Sequence, residues 1–140
     1  MANIKHFLVI KAPVKTVYKA ITEQEGLASW WTIKTMAKPD VGFVNEFNFS
    51  VNYQKKMKIT KLEHDSLVCW ECIAGDREWI GTKLRFELNE KNGTTELMFI
   101  HADWADETLL YANCNYNWGL YMKSLKSYCE TGTGNPYRDK

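Results

Sequence analysis

The 140-residue sequence predicts an α+β fold in which a curved antiparallel sheet of about six strands wraps one long C-terminal helix, with two short helices after the first strand. Three observations lead there. Residues 43–101 form a succession of alternating apolar and polar runs joined by short turn signals, the pattern of an antiparallel meander. Residues 106–131 keep apolar side chains at helical spacing, and a helix of about 26 residues spans about 39 Å, enough to cross a domain of this size. Between the first strand and the meander, two short stretches also carry helical spacing. A sheet with one apolar face needs a covering layer, and the long helix supplies it.

The elements follow in order. "NIKHFLVIKA" reads as the first strand. "APVKTVYKAIT" reads as a helix, with Pro13 suited to its first turn and Val14, Val17, Tyr18 and Ile21 on one side. "TEQEGLASWW" reads as a second helix that Thr22 caps, with Glu25 completing a capping box. After the turn "KPDVG", the strand "GFVNEFNFSV" places Phe43, Phe47, Phe49 and Val51 on one face against Glu46, Asn48 and Ser50. "KMKITKLE" turns Met57 and Ile59 inward. "EHDS" leads into the strand "LVCWECI", and "AGDRE" forms the next turn. "WIGTKLRFELN" alternates Ile80, Thr82, Leu84, Phe86 and Leu88 against Lys83, Arg85 and Glu87. "EKNGT" holds the Asn-Gly hairpin signal before the last strand, "TELMFIH".

The final helix is expected from Asp106 to Thr131. Asp103, Asp106 and Glu107 lie at its start and Lys123 and Lys126 near its end, as the helix dipole favours; Gly132 is its C-cap. Leu110, Tyr111, Cys114, Trp118, Tyr121, Met122, Leu125, Tyr128 and Cys129 share an arc of roughly 120°, with Lys123, Ser124, Lys126 and Ser127 outside it. Gly119, unusual in mid-helix, implies close approach of a neighbouring segment.

Composition narrows the function. A formal net charge of +1 removes the main electrostatic argument for a nucleic-acid or anionic-membrane partner. The apolar run near the N-terminus, Phe7 to Ile10, is too short for a signal peptide or a membrane span, so a cytoplasmic protein without membrane insertion is expected. The chain reads as one domain, 1–135, with a short tail, 136–140. "CWEC" (Cys69–Cys72) has the C-x-x-C spacing but lies in a strand. Residues three apart there point to opposite faces, so reduced structural thiols are expected rather than a redox pair or a metal site. No two histidines show ligand spacing, and no metal or cofactor is expected.

The motifs "APVKTVYKAIT", "GLASWWT", "VCWECIAGDREWIGTKLRFEL", "IHADW" and "CNYNWGLYMKSLKSYCETGTGNPY" resemble, over essentially the whole chain, the family of the activator of the heat-shock-protein-90 ATPase (C-terminal-domain type). That family lies within the START-like (SRPBCC) superfamily and its helix-grip fold. The resemblance implies a pocket between sheet and long helix, but no reaction. It reads as a stand-alone domain, without the N-terminal domain that makes much of the chaperone contact in the eukaryotic co-chaperone.

The expected function is non-catalytic binding of a small hydrophobic or amphipathic ligand in that cavity. Trp30, Phe47, Trp79, His101, Tyr111, Trp118 and Met122 are the expected contacts. The same helical stripe also fits a solid core. Of Trp30 and Trp31, one is expected in the core and the other at a pocket mouth or half exposed. Two alternatives stand beside this reading. One is a co-chaperone-like interaction module with an exposed patch that includes Trp31. The other is a cyclase- or hydrolase-like cavity enzyme in which His101 works with Asp103 or Arg77. The remaining charges read as a solvated sheet face.

Overall fold

The structure, a computed structural model, describes residues 1–138. The chain runs β1 (Ala2–Ile10), α1 (Val14–Thr22), α2 (Gln24–Trp30), β2 (Lys34–Met36), β3 (Val44–Ser50), β4 (Tyr53–Glu63), β5 (Leu67–Ala74), β6 (Lys83–Lys91), β7 (Thr94–Trp104) and α3 (Leu109–Thr131). The sheet has seven strands in the order β1-β7-β6-β5-β4-β3-β2. All pairings are antiparallel. The strand beyond the expected six is β2, three residues without a run of alternation long enough to read.

Strand periodicity builds the core. Phe47 and Phe49 on β3, Met57 and Ile59 on β4, Trp70 and Cys72 on β5, Leu84 and Phe86 on β6, and Leu97 and Phe99 on β7 are all buried. They form one apolar surface under Trp118, Met122 and Leu125 of α3. Truncating any one of the large rings in such a core costs roughly 3–5 kcal/mol. The β6–β7 hairpin closes through Asn92 (φ 53°) and Gly93 (φ 78°), the left-handed pair that the Asn-Gly signal demands.

Several boundaries differ from expectation. Thr22 is the last residue of α1, and its hydroxyl donates to the Tyr18 carbonyl at 2.7 Å. It therefore cannot cap α2, whose N-cap is Glu23 without a side-chain bond, and no capping box forms. Val51 is 87% exposed, because the β3–β4 turn begins there. Trp79 to Thr82 belong to a loop rather than to β6, so Ile80 faces solvent. The long helix starts at Leu109, not Asp106, since Thr108 takes the N-cap and accepts from the Tyr111 amide. It ends at Gly132 (φ 87°), whose N–H bonds the Tyr128 carbonyl at 2.8 Å.

Two residues placed outside the helical stripe are engaged. Ser124 is buried; its hydroxyl donates to the Trp30 carbonyl at 2.9 Å and accepts from the Asn135 amide at 2.7 Å. Lys126 reaches the edge strand, donating to the Val9 carbonyl at 2.5 Å and pairing with Glu130 at 2.8 Å. At Gly119 a Cβ would lie 3.5 Å from His6 Cε1, an ordinary contact, so the neighbouring strand does not require glycine there. The tail expected at 136–140 is docked as far as Tyr137, which exchanges backbone bonds with Trp31 (2.8 Å) and Ile33 (3.1 Å). Residues 139 and 140 lie outside the described residues.

Candidate functional site

A cavity of about 330 Å³ opens between the β3–β4 end of the sheet and the N-terminal half of α3. Each wall follows from local structure. The helix contributes Leu110, Asn113, Cys114, Asn117, Trp118 and Tyr121, spaced three and four apart and therefore on one side. The β3–β4 hairpin contributes Phe49, Ser50, Tyr53 and Lys55. Trp31 at the end of α2, Trp79 in the β5–β6 loop and Tyr137 in the docked tail complete it. A larger depression of about 530 Å³ between α1, α2 and the end of α3 is lined by Lys19, Glu23, Glu25 and other polar groups. It is an open, solvated groove without the apolar walls that hold a small molecule.

The β5–β6 loop turns Trp79 into the cavity wall and sets Asp76 behind it. Gly75 (φ 145°) and Gly81 (φ 90°) take conformations that favour glycine. Between them the Asp76 carbonyl accepts from the Trp79 and Ile80 amides at 2.9 and 3.2 Å. Trp79 is thereby buried against Trp118 (ring centroids 6.0 Å apart, planes at 27°), and Asp76 is set beside Lys55.

Lys55 is the chemical centre of this pocket, and it is only 5% exposed. Its ammonium donates to the Tyr53 hydroxyl at 2.6 Å and to Asp76 Oδ2 at 3.2 Å. The Tyr53 hydroxyl in turn donates to the same Asp76 oxygen. Lys55 Nζ also stands 3.9 Å from the centre of the Trp79 ring, a cation–π contact strengthened by desolvation. Burial lowers the Lys55 pKa, and the Asp76 carboxylate opposes that shift. Burial, followed by the bond to Asp76, raises the Tyr53 pKa. Burial pushes the Cys114 thiol up, partly offset by the Trp79 indole N–H beside it. That N–H lies close to the thiol yet makes no hydrogen bond of normal geometry.

Of the expected contacts, Trp79 and Trp118 line the cavity. The other five are packed elsewhere. Trp30 is buried with its N–H on the Ala20 carbonyl at 2.8 Å. Phe47 packs between Trp31 and Trp70. Met122 is core. Tyr111 meets Trp104 edge-on and donates to the Asn3 carbonyl at 2.8 Å. His101 lies behind Trp118. Both members of the Trp30–Trp31 pair are buried, and it is Trp31 that reaches the cavity. Trp31 is the C-cap of α2, with its N–H still on the Leu27 carbonyl, and its ring stacks beside that of Trp30 with centroids 6.1 Å apart, so the two neighbours share the buried side.

His101 is wholly buried and fully bonded. Trp118 Nε1–H donates to Nδ1 at 3.1 Å, and Nε2 pairs with Thr82 Oγ1 at 2.8 Å. Burial, with the Lys55 charge adding to it, lowers its pKa to about 3. Its expected partners lie elsewhere. Asp103 takes a left-handed conformation (φ 69°), which breaks the alternation, and pairs with Lys83 at 3.3 Å. Arg77 is exposed. Among the described residues, neither Asp103 nor Arg77 bonds His101.

Cys69 and Cys72 are free and point to opposite sides of β5, Cys72 inward. Among the described residues, no three histidine, cysteine or carboxylate side chains gather as a metal site requires. No helix among them is long and apolar enough to cross a membrane.

A family model described as Activator of Hsp90 ATPase homolog 1-like protein matches residues 11–130. A comparison with curated proteins gives no match. Among solved structures, the Aha1 dimer from Colwellia psychrerythraea superposes with a TM-score of 0.87 at 35% identity, over 96% of this chain and 100% of that one. Protein MLL2253 from Mesorhizobium loti gives 0.79 at 16% identity over 90% and 95% of the two chains. CalU16 from Micromonospora echinospora gives 0.75 at 16% over 95% and 76%. The last two likenesses carry the fold alone. With most of its length matched by the family model and a relative of the same architecture over nearly the whole chain, this chain belongs to the Activator of Hsp90 ATPase homolog 1-like family and has its START-like, helix-grip fold.

Proposed function

We propose that this domain binds a small hydrophobic or amphipathic molecule in the cavity between the β3–β4 hairpin and α3, without catalysis. One observation carries the reading: a cavity of about 330 Å³ walled by Trp31, Phe49, Trp79 and Trp118, with buried Lys55 paired to the partly exposed Asp76 at its side. Ligand sites are mostly apolar walls with a few placed polar groups, and this volume is at the small end of their usual range. Filling the space with a side chain would be the simpler use of these rings, and the chain has not done so.

Native mass spectrometry of the protein as purified, beside thermal-shift measurements across a library of lipids and aromatic compounds, tests the reading. A bound mass or a ligand-dependent rise in Tm is expected. Asn117→Phe, which fills the space from its wall, is expected to abolish the rise while the protein stays folded. No bound mass, and no shift with any compound, would refute it. A cytoplasmic location accompanies this reading, in keeping with four free thiols; export to an oxidising compartment in a fractionation experiment would contradict it.

A chaperone contact is a second reading, favoured by the family's description and by an apolar stripe on the outer side of α3. Leu109, Tyr116 and Leu120 are 90%, 67% and 51% exposed and fall at helical spacing on one face. Trp31, buried, has no part in such a surface. Retention of an Hsp90-type chaperone at low salt, lost in Leu120→Glu, is the expected result; no retention removes this reading.

A further inference from the structure

We infer that the molecule taken up by this cavity is a flat aromatic compound bearing a hydrogen-bond-accepting oxygen, a carbonyl or a carboxylate, which seats on Lys55 and on the Trp79 indole N–H. The inference rests on the ligand-binding reading above and adds the chemistry of the ligand.

The first argument is a count of donors and acceptors. The Lys55 ammonium has three N–H groups. Two are used, on the Tyr53 hydroxyl at 2.6 Å and Asp76 Oδ2 at 3.2 Å. Near the third lie only ring faces among the described residues: Trp79, Tyr53 and Phe49, at 3.9, 4.3 and 5.5 Å from the nitrogen. Asp76 Oδ2 already accepts from both Tyr53 and Lys55, and Asp76 does not line the cavity. The Trp79 N–H is buried without a bonding partner. The charged side of the cavity therefore offers the Lys55 ammonium and the unpaired Trp79 N–H as donors, against one lone pair left on the Tyr53 hydroxyl. A buried donor without a partner is costly, and a ligand oxygen removes that cost. A ligand amine would meet the ammonium head-on.

The second argument is shape. The Trp79 and Trp118 planes lie at 27° and the Trp31 and Trp118 planes at 36°. These rings pack directly on one another, with centroids 6.0 and 5.1 Å apart, so they make one aromatic wall of the cavity against which a flat ring can stack. A space of about 330 Å³ admits a compound of one to three rings rather than a long acyl chain. The third argument is charge. Lys55 and Asp76 cancel, so a neutral carbonyl enters without leaving net charge, whereas a carboxylate brings one negative charge. Both use the same donors, and the experiment separates them.

The test is a titration of tryptophan fluorescence with naphthalene, 2-acetonaphthone, 2-naphthoate and 2-naphthylmethylamine. It is run on the wild-type protein, Lys55→Met and Trp79→Phe. The ketone or the carboxylate is expected to bind about tenfold or more tighter than naphthalene, the gain of one charge-assisted hydrogen bond. Whichever of the two binds more tightly names a neutral or an anionic ligand. That advantage, read as the ratio to naphthalene in the same variant, is expected to vanish in Lys55→Met and to shrink in Trp79→Phe. Trp79→Phe keeps a ring and removes an N–H that makes no hydrogen bond of normal geometry and has the Cys114 thiol beside it, so it decides the question even where Lys55→Met does not fold. Equal affinity for naphthalene and its oxygenated derivatives overturns this inference and leaves the ligand-binding reading intact. Tightest binding of the amine, or an advantage that survives both substitutions, also overturns it. Failure of every compound, naphthalene included, counts against the ligand-binding reading itself.

Discussion

His101→Gln separates a structural histidine from a catalytic one through its pH dependence. The hydrogen bonds around His101 dictate its state. Trp118 has only a donor to offer Nδ1, at 3.1 Å. The Thr82 hydroxyl gives its proton to the Trp79 carbonyl at 2.5 Å, and so accepts from Nε2–H at 2.8 Å. The ring is therefore neutral, and a second proton would face the Trp118 N–H. Its pKa falls from 6.5 to about 3, through burial first and the Lys55 charge second.

The sign follows from linkage. Between pH 6.5 and about 3 the unfolded chain carries the proton at this position and the native protein does not, so stability falls as pH falls through that window. At pH 5 the gap is 1.5 pH units, worth about 2 kcal/mol at 1.36 kcal/mol per unit. His101→Gln keeps a donor for Thr82, leaves the Trp118 N–H unpaired at a cost of about 1–3 kcal/mol, and does not titrate. Urea unfolding of both proteins at pH 7 and pH 5 reads the effect. The stability advantage of the wild type is expected to shrink by about 2 kcal/mol on going to pH 5, while contributions shared by both proteins cancel. An advantage equal at the two pH values would refute the neutral, buried assignment and reopen proton transfer at His101, since an acid/base group must titrate near working pH.

Three further outcomes are expected. In Gly26→Ala the new Cβ would stand 2.6 Å from the Ala20 Cα and 2.7 Å from its carbonyl oxygen; backbone cannot yield cheaply there, so a loss of about 1–3 kcal/mol in urea unfolding is expected, and an unchanged midpoint would contradict the close α1–α2 packing. Burial pushes the Cys72 thiol to about 11 and the Cys129 thiol to about 12; both should alkylate with iodoacetamide at pH 8 far more slowly in the native than in the urea-unfolded protein, and equal rates would show that the β5 and α3 faces are open. Ser124→Ala removes the hydroxyl that joins α2, α3 and the tail, so the Tyr137 amide, bonded to the Trp31 carbonyl at 2.8 Å, should exchange with deuterium at least several-fold faster; unchanged protection would mean that the tail holds without it.

The meander was legible because its signals are local and redundant. Alternation over seven or more residues, an Asn-Gly turn and a glycine C-cap each act within a few residues, and the structure keeps all three. What could not be read depends on groups distant in sequence. β2 is a strand only because β3 pairs with it. Thr22 satisfies the helix requirement of a neighbouring hydroxyl equally well by ending α1 as by capping α2, and the Tyr18 carbonyl decides the matter. Ser124 looked like a solvated helix residue until the chain beyond Gly132 folded back to bring Asn135 against it.

At the site, the polar tips of the α3 rings are a poor guide to a ligand. Polar-tipped aromatics on the buried face of α3 need partners, but a partner need not be a ligand: Trp118 finds His101 on β7, and Tyr111 finds the Asn3 carbonyl. These two tips are thus satisfied by the sheet itself, and most of the stripe is core. The informative residue was Lys55. It shares strand parity with Met57 and Ile59, which face the core, so its side chain was committed to the interior by alternation alone. A lysine on a buried face is rare unless paired, and its carboxylate comes from Asp76, in the loop two strand-lengths away in sequence. A cation held inside an aromatic enclosure at the cost of desolvation, where methionine would have packed more simply, is the position at which this sequence departs from what folding alone asks of it. Such departures mark function more reliably than an abundance of rings, because rings are also what a core is made of.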